Sequence, residues 1–247
     1  MSTLNDDIFL AARSPNPLEE TVERVTGTIK ARLLSPGDRL PAERDLALQL
    51  GVSRSTLRVA LQMLTEAGWL EVRRGRHGGS FVARWPRMPH PRKLSEVLTR
   101  RREDLPALLD YRRAVECAAA LFAAERATSE DLQELEQLNL AMCANRNNYE
   151  AYRTADARFH IGIARAAHSP RIMQSVTEVQ AAMTEVLDVI IYQTKDSLGN
   201  AVNSHSQIIS ALRERDAGHA HALMLEHVRR TESIIQHLAN SAVAEKN

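Results

Sequence analysis

The chain has 247 residues, of which 44% are hydrophobic and 4% aromatic, and its net charge is +1 at pH 7. That length accommodates two ordinary domains with real cores, and scarce aromatics among abundant Ala and Leu favour helix over sheet. Cys117 and Cys143 form neither a CxxC pair nor a disulfide framework, the first residues lack a signal-peptide core, and no apolar run reaches the roughly 18–20 residues of a bilayer span, so a reduced, cytoplasmic protein with no membrane partner is expected.

Residues 1–15 are expected to be a mobile N-terminal segment. The first predicted helix runs from Leu18 to Leu33, with Val22, Val25, Ile29 and Leu33 on one face. Ser35-Pro36-Gly37-Asp38 reads as a turn. A second helix opens at Leu40-Pro41-Ala42, carries Ala42, Leu46 and Leu50 on its apolar face, and stops at Gly51. Ser53 suits an N-cap, and a third helix runs from Arg54 to about Ala67, burying Leu57, Ala60, Leu61 and Leu64. Two short strands follow, Trp69–Arg73 and Ser80–Ala83, around the glycine-rich basic tip Arg74-Gly75-Arg76-His77-Gly78-Gly79.

Two helices joined by a tight glycine turn, then a basic hairpin, describe a winged helix-turn-helix over residues 16–84. Its charge agrees with a polyanionic partner. From Arg39 to Arg92 there are 10 Arg and no Lys against 4 acids, whereas from Lys93 onward 18 basic residues face 21 acids. Only the front of the chain is therefore expected to meet nucleic acid. Arg54 and Arg58 are four residues apart and project together from the third helix. Arginine is the side chain best matched to bidentate pairing with guanine. Taken singly, Arg44 or Arg58 would read as an ordinary solvated helix residue; the ordered array is what points to DNA.

Three prolines within Arg84–Arg92 halt both helix and strand, so residues 85–92 are expected to be a linker. Residues 93–247 read as helix throughout, in stretches near 104–126, 129–147, 149–167, 170–194, 197–215 and 217–240. The expected fold is mainly α: a winged helix-turn-helix, then an antiparallel bundle of six or seven helices.

Histidine and aspartate carry the chemistry of the rear domain. Asp156 and His160 are spaced i, i+4 and share a face. His205 leads a stripe with Ile208, Ile209 and Leu212, and His227 lies on a stripe with Leu223 and Ile234. Any one of these imidazoles is more simply a core histidine satisfied by a carbonyl. Together they match the donor set of a bundle-core metal site, of a kind suited to Zn, Ni, Mn or Fe. His219, two turns before His227, also falls within reach of such a cavity. The remaining histidines, His77, His90, His168, His221 and His237, read as surface or capping residues.

The run LPAERDLALQLGVSRSTLRVALQMLTEAGWLEVRRG, residues 40–75, closely resembles the GntR family signature. That resemblance implies operator contacts by Arg44, Arg54, Arg58 and Gly75, with Ser53, Ser55 and Thr56 on phosphates, in a homodimer reading a palindrome. The wing, RRGRHGGSFV, is a residue or two longer than the usual form, which leaves the roles of Arg74, Arg76 and His77 open. The segments DYRRAVECAAALFAAERAT, DARFHIGIARAAHSPRI and NSHSQIISALRERDAGHAHALMLEHV resemble the FCD effector domain of the FadR subfamily. By that resemblance Asp156, His160, His205 and His227 hold a divalent metal, zinc foremost, and Arg112 grips a small carboxylate effector bidentately. Arg112 could instead pair with Glu116, and Arg113 beside it could join the pocket. Tyr111 and Cys117 depart from the residues usual at their positions and could alter the pocket's shape. The implied function is a ligand-responsive transcription regulator, a repressor by the family's habit. Two other readings are a regulator with a metal-free pocket for a larger apolar ligand such as an acyl thioester, and a metal-dependent hydrolase. The hydrolase lacks an H-E-x-x-H motif or a nucleophile elbow.

Overall fold

The structure is a computed structural model and describes residues 16–83, 97, 100–101, 103–193 and 198–244. The expected mobile segment and the proline linker lie outside the described residues. Two compact units emerge, one drawn from Met1–Thr26 and Pro36–Arg84, the other from Gly27–Ser35 and Trp85–Asn247.

Helix α1 (Pro17–Lys30), whose last turn from Gly27 belongs to the second unit, begins with proline at its first position and two acids in its first turn, both suited to a helix N-terminus. It ends three residues before the expected Leu33. Arg32 adopts φ +59°, while the Arg32 and Leu33 amides donate back to the carbonyls of Ile29 and Thr28. This is a left-handed helix stop without glycine; the buried ion pair of Arg32 with Asp188 holds it there. Helix α2 (Glu43–Leu50) ends at Gly51, whose φ is +70°. Helix α3 (Arg54–Glu66) is capped by Ser53, whose Oγ accepts from the Thr56 amide at 3.0 Å. Strands β1 (Leu70–Arg73) and β2 (Gly79–Val82) pair antiparallel, Leu70 opposite Val82 and Arg73 opposite Gly79.

Helix α2 starts later than the expected Leu40–Pro41. Arg39 bridges to Phe81, and the Leu40 amide donates to the Ser80 carbonyl at 2.9 Å. The stretch before α2 is thus used as a third sheet partner, which occupies a β2 edge that would otherwise expose its backbone groups.

The second unit is an all-helical bundle: α4 (Leu105–Arg126), α5 (Ser129–Ala144), α6 (Tyr149–Ala166), α7 (Pro170–Gln193), α8 (Leu198–Arg213) and α9 (Ala217–Ala244). Helix α4 is its centre and packs on α6, α7, α8 and α9. Its Ala119, Ala120, Ala123 and Ala124 are fully buried; small side chains let neighbouring helices approach closely. Thr128 and Asp131 form a reciprocal capping box at the start of α5. The apolar core comes as a large cluster around Phe159, Ile163, Ile208 and Leu212, and a smaller one around Leu109, Val179, Met183 and Ile235. Along α4, the buried polar residues Arg112 and Glu116 fall between Leu109 of the smaller cluster and Cys117 of the larger. Among the described residues, no helix is long and apolar enough to cross a membrane.

Candidate DNA-binding face and candidate metal centre

Leu57, Ala60, Leu61 and Leu64 seat α3 on the first unit's core. The opposite side is therefore exposed, and it carries Arg54, Ser55 and Arg58. At the helix start the Ser53 hydroxyl lies 2.8 Å from both the Ser55 and Thr56 hydroxyls. Three hydroxyls thus gather beside the free N–H groups and positive dipole end of α3, a favourable setting for phosphate. Arg58 pairs with Glu43 at 3.0 Å and Arg44 with Asp45 at 3.1 Å. All four side chains are largely exposed, so these pairs are weak and exchangeable. In the wing, Arg74, Gly75, Arg76 and His77 are exposed. Gly78 turns the tip tightly: a Cβ there would lie 2.4 Å from the Arg73 carbonyl oxygen.

In the bundle, α6 delivers Asp156 and His160 to one buried face, α8 delivers His205 and α9 delivers His227. One ligand atom from each of the three histidines lies within 4.8 Å of the others. The Nε2 atoms of His205 and His227 are 3.3 Å apart, and Asp156 Oδ1 is 3.9 Å from His205 Nε2. Phe159 stacks on His205 with ring centroids 4.2 Å apart, which fixes that imidazole's plane. Burial, and then the neighbouring His160, holds His205 well below the usual histidine range. Burial, and then His205, does the same for His227. Both therefore stay neutral with lone pairs available, as a metal ligand must be. Three imidazoles and a carboxylate from facing helices fit a divalent transition metal.

Residues 17–82 match the model of bacterial regulatory proteins of the gntR family, and residues 107–230 match the FCD domain. The chain is 33% identical over 211 residues to RmpR of Mycobacterium gastri, covering 85% of this chain and 76% of that one. It is 30% identical over 187 residues to the galactonate operon transcriptional repressor of Escherichia coli K12, covering 73% and 80% respectively. The chain belongs to the GntR family. As a GntR-family protein with an FCD domain it is a DNA-binding transcription regulator rather than an enzyme, and this domain pairing is consistent with the FadR subfamily. The solved structure of E. coli McbR/YncC shares the fold, with a TM-score of 0.50 at 19% identity over 91% of this chain and 99% of that one.

Around the histidines of this GntR-family protein lies a polar layer, of which sequence reasoning named Arg112 and Glu116 and missed Gln180, Arg153 and Asp188. Arg112 is buried and donates through Nε to Glu116 Oε1 at 3.3 Å. The pairing weighed as an alternative for Arg112 is thus present, in the interior rather than at the surface. Its Nη1 is also buried and has no hydrogen-bond partner. Glu116 Oε1 also accepts from Gln180 at 2.8 Å, and Glu116 Oε2 lies 3.0 Å from His160 Nδ1. Burial pushes the Glu116 carboxyl up, but Arg112 and His160 outweigh it and hold it well below the usual carboxylate range. On the other side, Arg153 reaches Asp156 and Gln180, both at 3.5 Å, and Asp188 at 3.4 Å. The i, i+4 spacing of Arg112 and Glu116, and the i, i+3 spacing of Arg153 and Asp156, were the available signals. Gln180 had none.

His219 does not join the cluster: it is exposed in the first turn of α9, where its amide is capped by Asp216. Arg113 is engaged with Asp110 and Glu232. His168 pairs with Asp131 at 2.9 Å on the surface.

Proposed function

We propose that this protein is a cytoplasmic repressor that binds a palindromic operator as a homodimer and is controlled by a small carboxylate. A divalent metal would be held by Asp156, His160, His205 and His227. When bound, the metal supplies a Lewis-acidic centre that a carboxylate can complete. The observation carrying this reading is the buried convergence of three imidazoles with Asp156, close to Glu116 and its partner Arg112. A buried guanidinium with an unpartnered Nη1 is suited to the carboxylate of an effector. One relative is named for a galactonate operon; galactonate is a hydroxycarboxylate, which agrees with such a ligand. A larger apolar ligand such as an acyl thioester fits poorly among six buried ionic side chains at Arg32, Arg112, Glu116, Arg153, Asp156 and Asp188.

On the DNA side, Arg54 and Arg58 would reach base edges from α3. Arg44, Arg74, Arg76, the Gly75 backbone and the hydroxyls of Ser53, Ser55 and Thr56 would position the protein on phosphates. Effector binding would act by differential affinity for two states of the dimer. The test is a mobility-shift titration of the protein on its own promoter region, with and without bound metal and a panel of small hydroxycarboxylates. A sequence-specific shift that one acid abolishes, together with about one metal per chain in protein purified without tag or chelator, is expected. No specific shift, or no metal, defeats the corresponding part.

A further inference from the structure

Glu116 is almost fully buried, at 1% exposure, and no ligand role falls to it. Its carboxylate is divided between two tasks. Oε1 is committed to Arg112 and Gln180. Oε2 faces His160 Nδ1 at 3.0 Å. That separation is a hydrogen-bond length, though the ring N–H is turned off the line between the two atoms. Neither Oε2 nor Nδ1 has any other hydrogen-bond partner. Two buried polar atoms at this distance with no other partner are each other's natural complement, because a buried polar group left unsatisfied is costly.

The chemistry of the pair has one sense. Glu116 Oε1 already accepts from the Arg112 guanidinium and from Gln180, the setting of a carboxylate that accepts at Oε2 as well, so the imidazole nitrogen opposite it carries the proton. With Nδ1 given to Glu116, Nε2 is the ring nitrogen of His160 left to offer a lone pair to a metal. We infer that Glu116 is the positioning residue of the histidine cluster: its buried carboxylate fixes His160 as the Nδ1–H tautomer and leaves Nε2 as the donor atom offered beside His205 and His227. Because the same carboxylate holds Arg112, the donor orientation of His160 and the placement of the effector arginine depend on one residue. The inference deepens the metal reading and rests on it for its consequence. The tautomer itself can be observed without any metal.

Glu116→Gln is the first variant, since it keeps the shape. Its amide can turn NH2 toward Nδ1, which would then have to accept, moving the ring proton to Nε2, the wrong nitrogen for a ligand. Gln at this position also leaves Arg112 buried without its countercharge, so the second variant is Arg112→Met/Glu116→Gln, which removes the charge pair as a unit and is better tolerated in a core. Metal affinity of the full chain is measured by Zn²⁺ competition against a chromophoric chelator. Tautomer is read from the ring nitrogens of ¹⁵N-histidine in metal-free protein.

Wild type is expected to show His160 protonated at Nδ1. In whichever variants fold, the expectation is loss of that signature and Zn²⁺ binding about 10–100-fold weaker, the usual effect of removing a partner of a metal-bound histidine. A merely structural role for Glu116 would lower stability without moving the tautomer. His160 protonated at Nε2 in the wild type, or a folded double variant that binds Zn²⁺ as tightly as wild type, overturns the inference. If the wild type binds no Zn²⁺, the metal reading fails, and the wild-type tautomer still decides the role of Glu116.

Discussion

Burial does more for the histidine cluster than bring donors together; it sets their charge. His205 and His227 are held neutral in the fold, while an unfolded chain returns each to a pKa near 6.5. A native pKa below the unfolded one means that the unfolded state takes up protons first as pH falls. The stabilisation is therefore complete above about 6.5 and is lost on acidification, by up to about 1.4 kcal/mol per pH unit for each histidine. Metal-free protein should show urea midpoints that fall between about pH 7 and pH 5. The double variant His205→Gln/His227→Gln should show a flatter profile, and equal slopes would mean that these two rings do not carry the effect. On the other unit, Arg54 stands exposed at the first turn of α3 with no acid assigned to it by spacing. Arg54→Ala should weaken operator binding by about 1–3 kcal/mol, or roughly 5–150-fold, if it reads a base. If it only touches phosphate, specific and nonspecific DNA should weaken alike and the salt dependence should become shallower. Competition binding at two salt concentrations separates these outcomes. At this scale the residues that converge were legible, because Asp156 and His160 share a face by spacing, His205 leads an apolar stripe and His227 lies on another. Gln180 and Asp188 were not, because what makes them part of the site is the packing of α6 and α7 against α4, which no local pattern encodes; Arg153 offered only its i, i+3 spacing to Asp156.

Between elements, the closest approach that a side chain would disturb is that of α6 and α5. A Cβ on Gly162 would sit 2.9 Å from Leu135 Cδ2, with Leu135 itself buried. The obstructing atom is the tip of a flexible side chain, so alanine can be admitted by a small shift of Leu135. The gain in helix propensity, about 1 kcal/mol over glycine, opposes that cost. Gly162→Ala is expected to stay within about 1 kcal/mol of wild type, whereas Gly162→Leu should lose about 1–3 kcal/mol or more by overpacking. Denaturant midpoints check both, and a tolerated leucine would show that the two helices can separate freely. The bundle's six helices were readable from their punctuation: Thr128, Asn148, Pro170 and Asp216 mark starts that the structure also uses. The ends of α1 and the start of α2 were not. There, tertiary partners override local preference, an ion pair holding Arg32 left-handed and β2 recruiting Arg39 and Leu40.

Taken as a whole molecule, the chain gives the bundle unit a segment from far upstream. Gly27–Ser35 comprises the last turn of α1 and the residues after it; the earlier residues of α1 group with the winged helix, yet these nine group with the bundle. What holds them there is polar and specific. Arg32 Nη2 donates to both oxygens of Asp188, at 3.0 and 2.9 Å. The Thr184 hydroxyl donates to the Lys30 carbonyl at 2.6 Å. Arg158 donates to the Arg32 carbonyl at 3.0 Å and to Ser35 Oγ at 3.1 Å. Asp188 matters most, because it also faces Arg153 at 3.4 Å, and both guanidinium groups are almost fully buried. Removing the charge between them leaves two buried cations facing each other, a situation that costs about 3–5 kcal/mol when a buried pair loses one partner. Asp188→Asn keeps the shape and some hydrogen bonding, so the expected loss lies toward the lower end of that range. Thr184→Val deletes one hydrogen bond and should cost only about 1 kcal/mol. Hydrogen exchange resolves where the loss falls. In Asp188→Asn the amides of residues 28–35 should open faster than in wild type, ahead of those in the α4 core, because local opening frees Arg32 to water without unfolding the bundle. Exchange in that segment no faster than wild type, or acceleration spread evenly through the bundle, would mean that apolar packing around Ala31 and Leu33 and not the Arg32–Asp188 pair anchors it.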